Sequence, residues 1–264
     1  MSLVPALSPA SRLRSELLLA AMTLLLSACA TTGTETAARV PHPADPHEGF
    51  NRQMFAVNEA LDQALVKPVA QGYEAAVPLP LRVGVSNFFG NVADPMIGVN
   101  NLAQGKPRQA GSDVLRLLVN STLGIFGLFD VASEIGLEKH NEDIGQTLAV
   151  WGVGPGPYFF WPVIGPRTLR DTAGYAADSQ FDPVRQIRES TVRHGAAGTR
   201  VIDLRASLLP AESVLNQAVV DDKYAYLRSA YLQRRRNQIY DGDPPREPEP
   251  EEPSPASPTP PANN

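Results

Sequence analysis

The sequence predicts an all-α fold for one body of residues 46–242, and three observations support this prediction. Apolar side chains recur at helical spacing from Glu48 to Val66 and again from Arg108 to Val119. Prolines at positions 80, 95 and 107 predict helix starts, because the first turn of a helix tolerates proline. No segment of the body alternates apolar and polar residues for the length of a strand.

Capping residues divide the first half of this body into separate helices. The first helix is expected to start at Glu48 and to end near Pro68, since proline interrupts the hydrogen bonding of a helix interior. Asp94 is expected to cap a new helix that Pro95 opens, and Gly105 to end it.

The second half shows the same kind of signals. Asn141 is expected to cap a helix whose first turn carries Glu142 and Asp143, where the positive end of the helix dipole favours acids. Further helices are predicted around residues 167–177, 184–209 and 221–240.

The N-terminus has the layout of a secretory signal, in which charged residues precede an apolar run and a small-residue cleavage site. Arg12 and Arg14 come before an apolar run over residues 17–28. A bilayer-spanning helix needs roughly 20 apolar residues, so this run is too short to be one. We therefore interpret residues 1–28 as a signal peptide.

Cys29, the only cysteine of the chain, follows this run directly. The segment Leu26-Ser27-Ala28-Cys29 resembles the bacterial lipobox, so Cys29 is the predicted lipid attachment residue and residues 29–45 are a lipidated tether. A buried free cysteine in an N-terminal helix is the alternative. Ala30 stands where lipoproteins retained in the inner membrane carry aspartate. This favours a lipid anchor in the outer membrane of a Gram-negative bacterium, on its periplasmic side.

Charge and composition exclude some partners and mark a disordered C-terminus. The formal net charge is -5, which disfavours nucleic acid as a partner. Residues 243–264 hold five acids, one base and nine prolines, a composition that cannot bury a core. We interpret them as a disordered tail. A single lipidated cysteine provides neither a disulfide nor a cysteine-ligated zinc site.

The body lacks the motifs of known catalytic and cofactor sites, so no catalytic residue, cofactor or metal is predicted. A metal held by His140, Glu142 and Asp143 is a weaker alternative to helix capping. Residues 234–236, three consecutive arginines, would either attract anionic lipid headgroups or stabilise a helix end. All four histidines are expected to be solvated: His42, His47, His140 and His194.

Two glycine-containing apolar segments interrupt the helical pattern. Residues 122–129 have a composition that permits close helix approach or contact with a membrane interface. Residues 152–162 form an expected loop with four consecutive aromatics, in which glycines suggest mobility. Two interpretations of this loop stay open: it folds over a core, or it dips into lipid.

Several short motifs, in order, resemble the MlaA (VacJ) family of outer-membrane lipoproteins over about residues 45–242. Early motifs surround residues 48–52, 87–105 and 116–130, and later ones surround residues 141–148, 151–158, 165–171 and 231–242. The motif residues singled out are Phe50, Asn51, Asn87, Phe88, Asn120, Asp130, Asp143, Gly145, Arg170 and Asp171.

This resemblance implies a helical ring that lies in the inner leaflet of the outer membrane, with a central amphipathic channel. It implies that mislocalised phospholipids leave the outer leaflet through the channel and pass to a soluble periplasmic carrier similar to MlaC, which maintains lipid asymmetry. A trimeric porin is an expected partner. Two other functions compete: a scaffold or binding lipoprotein that moves no lipid, and a cell-envelope hydrolase, for which we find no catalytic dyad.

The resemblance also implies a role for the aromatic segment. It corresponds to a hydrophobic hairpin beside the channel of the family, which makes it an expected element of the lipid path. The residues expected to form this hairpin are Gly152, Gly154, Gly156, Pro157, Tyr158, Phe159, Phe160 and Trp161.

The lipid anchor leads to a first testable prediction. Replacing Cys29 by alanine should leave an unprocessed, non-acylated protein that is poorly retained in the outer membrane, because the thiol is the predicted attachment point. Metabolic labelling with a fatty-acid analogue measures this. Label that persists on the Cys29→Ala variant would contradict the assignment.

Overall fold

The computed structural model describes residues 42–218 and 222–246. Cys29, the signal peptide, most of the predicted tether and the tail beyond residue 246 lie outside these residues. Within them the chain is mainly helical, which confirms the predicted fold class. The helices, in chain order, are α1 (Glu48–Leu61), α2 (Lys67–Ala76), α3 (Leu79–Ala103), α4 (Pro107–Thr122), α5 (Val131–Glu134), α6 (Ile144–Val150), α7 (Leu169–Phe181), α8 (Ser190–Ala218) and α9 (Lys223–Ile239).

Two of the expected helix boundaries are wrong, and both concern proline. A π-helical turn, Asp62–Val66, joins α1 to α2, so the helix continues through Pro68. Pro68 has no N–H to donate to the preceding turn, and the wider π-helical turn accommodates this missing hydrogen bond. Pro95 lies inside α3 and does not start a helix. The lost backbone hydrogen bond is tolerated because α3 packs along α4 and buries Asp94, which pairs with Lys139.

Other capping predictions are confirmed or shift by a few residues. Pro80 and Pro107 lie in the first turns of α3 and α4, and Gly105 has a positive φ of 78° just after α3 ends. Asp143 caps α6 in place of Asn141, because its carboxylate accepts a hydrogen bond from the Gln146 amide.

The second half of the aromatic segment begins a β-hairpin, whereas its glycines and prolines alone predict an irregular loop. Strands β1 (Tyr158–Trp161) and β2 (Gly165–Thr168) are antiparallel, with Tyr158 opposite Thr168 and Trp161 opposite Gly165. Tyr158 and Phe160 are buried, while Phe159 and Trp161 on the other face are half-buried. Because all four residues of this strand are aromatic, the alternation of buried and half-buried side chains does not show as an alternation of apolar and polar residues in the sequence.

The interior of the described residues is unusually polar. The buried apolar cluster is small: Tyr158, Phe160 and Tyr224, with Met54, Phe55, Tyr231 and Leu232 packed against it. Around it lie buried polar and charged side chains from most helices, among them Asn51, Asn101, Asp113, Arg116, Gln146, Asp171 and Arg235. Large apolar side chains are instead exposed along α1 to α4 and α8, among them Leu65, Leu81, Leu102, Leu118 and Leu204.

Helices α6 and α7 cross at a pair of glycines. A Cβ atom on Gly174 would lie 2.4 Å from the backbone nitrogen of Gly145, closer than real Cβ contacts come. The neighbour is backbone and cannot rotate away, so this close approach requires glycine. The crossing holds the start of α6, which carries Asp143, against α7, which carries Asp171.

The crossing leads to a matched pair of predictions. Gly174→Ala should destabilise the fold by about 1–3 kcal/mol, because the added methyl overpacks the crossing. Gly111→Ala, on an exposed part of α4 with open space around its Cβ, should instead stabilise by about 0.5–1 kcal/mol through helix propensity. Chemical unfolding of both variants in mild detergent measures the difference. Equal midpoints for the two variants would contradict the close crossing.

Candidate functional site

Asn51 of α1 closes the outer edge of the hairpin. Its Nδ2 donates to the Tyr158 carbonyl at 3.0 Å and to Asp45 at 2.7 Å, while its Oδ1 accepts from the Phe160 amide at 2.9 Å. The Ala44 carbonyl accepts from the Tyr158 amide at 2.8 Å. These contacts replace a neighbouring strand and satisfy backbone groups that would otherwise be buried without partners.

Asp45 joins the start of the described chain to α9. Its carboxylate, fully buried, accepts from the Tyr224 hydroxyl at 2.6 Å and from Arg228 at 2.8 Å. Burial and the adjacent carboxylate raise the pKa of Tyr224 well above its usual range. The predicted tether ended at Asp45, but the structure makes this residue part of the body. The burial of Asp45 could not be predicted from the sequence, because an aspartate between prolines is typical of linkers.

A second buried network joins α9 to α6 and α7. Arg235 donates to Asp143 at 2.7 and 2.6 Å and to Asp171 at 2.9 Å. Asp171 also accepts from the hydroxyls of Tyr231 and Thr168, each at 2.7 Å. Burial alone would raise the pKa of Asp171, but the charge of Arg235 and these hydrogen bonds lower it below its usual range. The carboxylate therefore stays ionised inside the fold.

The same network accounts for two more motif residues. Arg170 donates to Asp171 at 3.1 and 3.0 Å from two of its nitrogens. A Cβ atom on Gly145 would lie 2.5 Å from a guanidinium nitrogen of Arg235, so any other residue there would displace that arginine from its position.

One face of α9 holds these networks together. Tyr224, Arg228, Tyr231 and Arg235 are spaced by four, three and four residues, so they lie on one side of the helix. Arg235 is thus buried and pairs with carboxylates. It therefore neither attracts anionic lipid headgroups nor stabilises a helix end, the two roles predicted for residues 234–236. The spacing was visible in the sequence, but polar side chains at helical spacing normally indicate a solvated face.

A third network, on α4 and α5, holds the apolar segment 122–129. Arg116 donates to both oxygens of Asp130, at 2.8 and 3.0 Å, and Asn120 donates to the same carboxylate at 2.9 Å. Burial would raise the pKa of Asp130, but hydrogen bonds from Ser133, Asn120 and Arg116 outweigh it and hold the pKa at about 2.

The turn that this network holds presents apolar side chains outward. Leu123 is 70% exposed and Phe126 is 76% exposed. Ile125 and Phe126 have positive φ values of 50° and 57°, a conformation that costs about 1–2 kcal/mol per residue for L-amino acids. Gly127 follows, also with positive φ, packed against Asn91. Strain of this kind persists only where the surroundings fix it.

The hairpin turn repeats this combination of strain and exposure. Val163 has a φ of 69° and is 69% exposed, and Ile164 beside it is also exposed. A β-branched residue in this conformation is an outlier. We call residues 123–129 and 163–164 the two apolar turns.

The remaining predicted site residues are placed as follows. Asn87 on α3 donates to the Leu128 carbonyl at 3.2 Å and so supports the first apolar turn. Phe50 and Phe88 are exposed, which excludes a core role for either. Gly152 and Gly156 have positive φ, and Gly154 has open space around it. The carbonyl of Pro157 accepts from the Leu169 amide. The mobility of this segment stays a prediction.

His140 is not solvated as expected. Its Nδ1 lies 2.7 Å from the buried carboxylate of Asp113, which also accepts from Asn101 at 2.7 Å. Across residues 42–218 and 222–246, no three histidine, cysteine, aspartate or glutamate side chains form a group that could hold a metal ion.

The hairpin edge leads to a further prediction. Asn51→Ala should destabilise the fold by about 2–4 kcal/mol, because it removes the side-chain partner of the Phe160 amide, of the Tyr158 carbonyl and of Oδ1 of Asp45 inside the fold. Hydrogen exchange should accelerate at the Tyr158 and Phe160 amides. Gln53→Ala, on the exposed side of the same helix, serves as the control and should change neither quantity. Unaltered exchange in the Asn51 variant would contradict the edge role.

Comparison with known proteins identifies the family. A family model for the MlaA lipoprotein matches residues 43–238. The intermembrane phospholipid transport system lipoprotein MlaA of Escherichia coli is 39% identical over 220 residues, which cover 82% of this chain and 85% of that protein. The protein of the same name from Haemophilus influenzae is 30% identical over 229 residues, covering 84% and 90% of the two chains.

A solved structure agrees. It concerns the structural basis for maintenance of bacterial outer membrane lipid asymmetry, and it matches with a TM-score of 0.64 and 34% identity. The match covers 75% of this chain and 99% of that one. The motifs, the fold and these relatives together establish that the chain belongs to the MlaA lipoprotein family.

Proposed function

We propose that this protein removes mislocalised phospholipids from the outer leaflet of the outer membrane and passes them to a soluble periplasmic carrier. The observation that supports this most directly is the inverted burial of the described residues, with polar side chains inside and apolar side chains outside. In water such a surface would be a strong aggregation liability. In a membrane it is the expected arrangement.

The apolar exterior fits residence within one leaflet. No helix in the described ranges is both long and apolar enough to cross a bilayer. The domain therefore needs another way to stay in the membrane, and the exposed apolar side chains of α1 to α4, α8 and the two apolar turns supply it. Each large side chain contributes about 1.5–3 kcal/mol when fully buried in an apolar environment. A lipid anchor on Cys29 would add to this.

The polar interior fits a path for headgroups. Several buried polar atoms have no hydrogen-bond partner among the described residues, including Oδ1 of Asn91, Oδ1 of Asn101 and Oε1 of Gln104. Such atoms are costly in a dry interior, so they suit a path that holds water or a headgroup. A phospholipid that leaves through water would expose its acyl chains at about 0.8 kcal/mol per CH2. A central channel lowers this barrier without a covalent step, and we infer no catalytic activity.

The hairpin is the proposed moving or guiding element of this path. Only part of it is available for that role, because Tyr158 and Phe160 pack in the core and α1 holds β1 in place. Its strained and exposed turn, Val163 and Ile164, is the part suited to contact acyl chains.

The partners that follow from this function are phospholipids, the outer membrane, a carrier similar to MlaC and a trimeric porin. The family membership supports the first two most strongly. The competing function, a scaffold lipoprotein without transfer activity, accounts for the apolar exterior but not for the polar atoms of the interior that lack partners among the described residues.

A substitution in the hairpin turn is expected to change stability and lipid transfer in opposite directions. Val163→Asn should stabilise the protein slightly, because asparagine accepts positive φ, and yet should slow lipid transfer several-fold by removing an exposed apolar contact. Transfer of a fluorescent phospholipid from vesicles that contain the lipidated protein to a soluble acceptor measures the rate.

Two controls complete this test. Val192→Asn, an exposed valine on α8 outside both apolar turns, should leave the transfer rate unchanged. Tyr158→Ser with Phe160→Ser should unfold the domain, since aromatic core truncations cost about 3–5 kcal/mol each. A Val163→Asn variant that transfers lipid as fast as the wild type would refute the role of the turn. Wild-type protein that transfers no lipid would favour the scaffold function.

A further inference from the structure

A polar cleft of about 450 Å³ lies between the segment before α6 and the end of α9. Its walls include Gln109, Glu138, Glu142, Gln146, Arg234 and Asp241. A smaller cleft of about 170 Å³ shares Arg234 with it and reaches β2 at Pro166 and Arg167. The two clefts therefore meet at Arg234 on α9.

The first cleft presents hydrogen-bond acceptors that lack donors. Gln146 is only 1% exposed, and its Nε2 donates to the Asn141 carbonyl at 2.7 Å, but its Oε1 accepts no hydrogen bond from any described residue. Oε1 of Gln109 is buried and unsatisfied in the same way. A buried acceptor without a donor destabilises the fold, so a ligand that brings N–H groups would be favoured here.

Some charged side chains of the first cleft form ion pairs, and others do not. Lys106 pairs with both Glu142 and Asp241, at 3.5 and 2.6 Å. Glu138 and Arg234 form no ion pair with any residue that the structure describes. One wall thus presents an unpaired carboxylate beside amide oxygens, and the other presents an unpaired guanidinium.

The smaller cleft adds donors on the side of Arg234. Arg167 stacks over the ring of Tyr175 at 4.2 Å, and its Nε has no acceptor among the described residues. Guanidinium groups suit phosphate because their donors form a planar fork. Pro166 and Arg167 lie on β2, which leads to the exposed hairpin turn at Val163 and Ile164.

We propose that these joined clefts bind the phosphoethanolamine headgroup of a phospholipid, with the phosphate at Arg234 and Arg167 and the primary ammonium at Glu138, Gln109 and Gln146. An ammonium with three N–H groups satisfies the unpaired amide oxygens, whereas the trimethylammonium of phosphatidylcholine has no N–H to donate. Phosphatidylglycerol offers no cation to Glu138. The exposed hairpin turn would accompany the acyl chains. This inference rests on the proposed lipid transport and names the headgroup that it favours.

Photo-crosslinking of the full lipidated protein tests the proposal. Phosphatidylethanolamine, phosphatidylcholine and phosphatidylglycerol, each with a diazirine on one acyl chain, are offered at equal mole fraction in otherwise identical vesicles. We expect phosphatidylethanolamine to label the protein about ten-fold more than the other two, the effect of one charge-assisted hydrogen bond. Glu138→Gln and Arg234→Gln should each bring the three yields close to equality.

Matched controls exclude a general effect of charge. Glu134→Gln and Arg188→Gln change exposed residues outside both clefts and should preserve the preference. Equal labelling by all three lipids in the wild type would overturn the headgroup inference and leave lipid transport standing. Labelling by none of them would contradict the proposed function itself. A preference that survives both cleft substitutions would place headgroup selection elsewhere and overturn the assignment.

A soluble ligand with the same headgroup is distinguished by titration. Free phosphoethanolamine should bind the detergent-solubilised protein much more weakly than the phospholipid does, because it brings no acyl chains. Tight binding of the free compound, together with lipid labelling that does not depend on Glu138, would assign the clefts to a soluble ligand and overturn the lipid assignment.

Discussion

The fold depends on carboxylates that two arginines of α9 reach: Asp45 and Asp171 are buried, and Asp143 is partly exposed. Asp45, Asp143 and Asp171 come from three separate parts of the chain, and Arg228 and Arg235 bind them from one helix. Removing a partner from a buried ion pair costs about 3–5 kcal/mol, so these contacts act together rather than one at a time. With few apolar side chains inside, polar pairing specifies how the helices pack.

The same arrangement makes an apolar exterior possible. A soluble domain of this size would use leucine, valine and phenylalanine to fill its core. Here many of those residues are exposed, and the two apolar turns carry some of them in strained conformations. The network of Arg116, Asn120 and Asp130 holds the first of these turns. The polar interior and the apolar exterior therefore go together: hydrogen bonds and ion pairs join the helices, and the apolar side chains are left for the proposed contact with the membrane. A polar interior then suits the proposed passage of headgroups.

The sequence predicted the helical class and most helix starts, because these depend on local signals such as Pro80, Pro107 and Gly105. It failed at Pro95 and Pro68, where packing and a π-helical turn override the local preference. It found the motif residues Asn51, Asp130 and Asp171 only through family resemblance, since long-range partners such as Arg116 and Arg235 cannot be paired from spacing. The burial of Asp45 and the strand at Tyr158 carried no pattern that would distinguish them from a linker and a loop.

The way Asn51 and Tyr231 border the hairpin has a consequence for assembly. A two-stranded sheet has two open edges, and each open edge is a template on which another chain can add a strand. On β1 the edge is closed by Asn51 and the Ala44 carbonyl, and on β2 the Thr168 amide donates to the Tyr231 hydroxyl at 3.3 Å. Copies of a protein this apolar are crowded together wherever they lack a membrane. Groups of the same chain occupy positions on both edges, so fewer backbone groups are left on which the hairpin of another copy could add a strand, and pairing of the aromatic strands between copies is disfavoured.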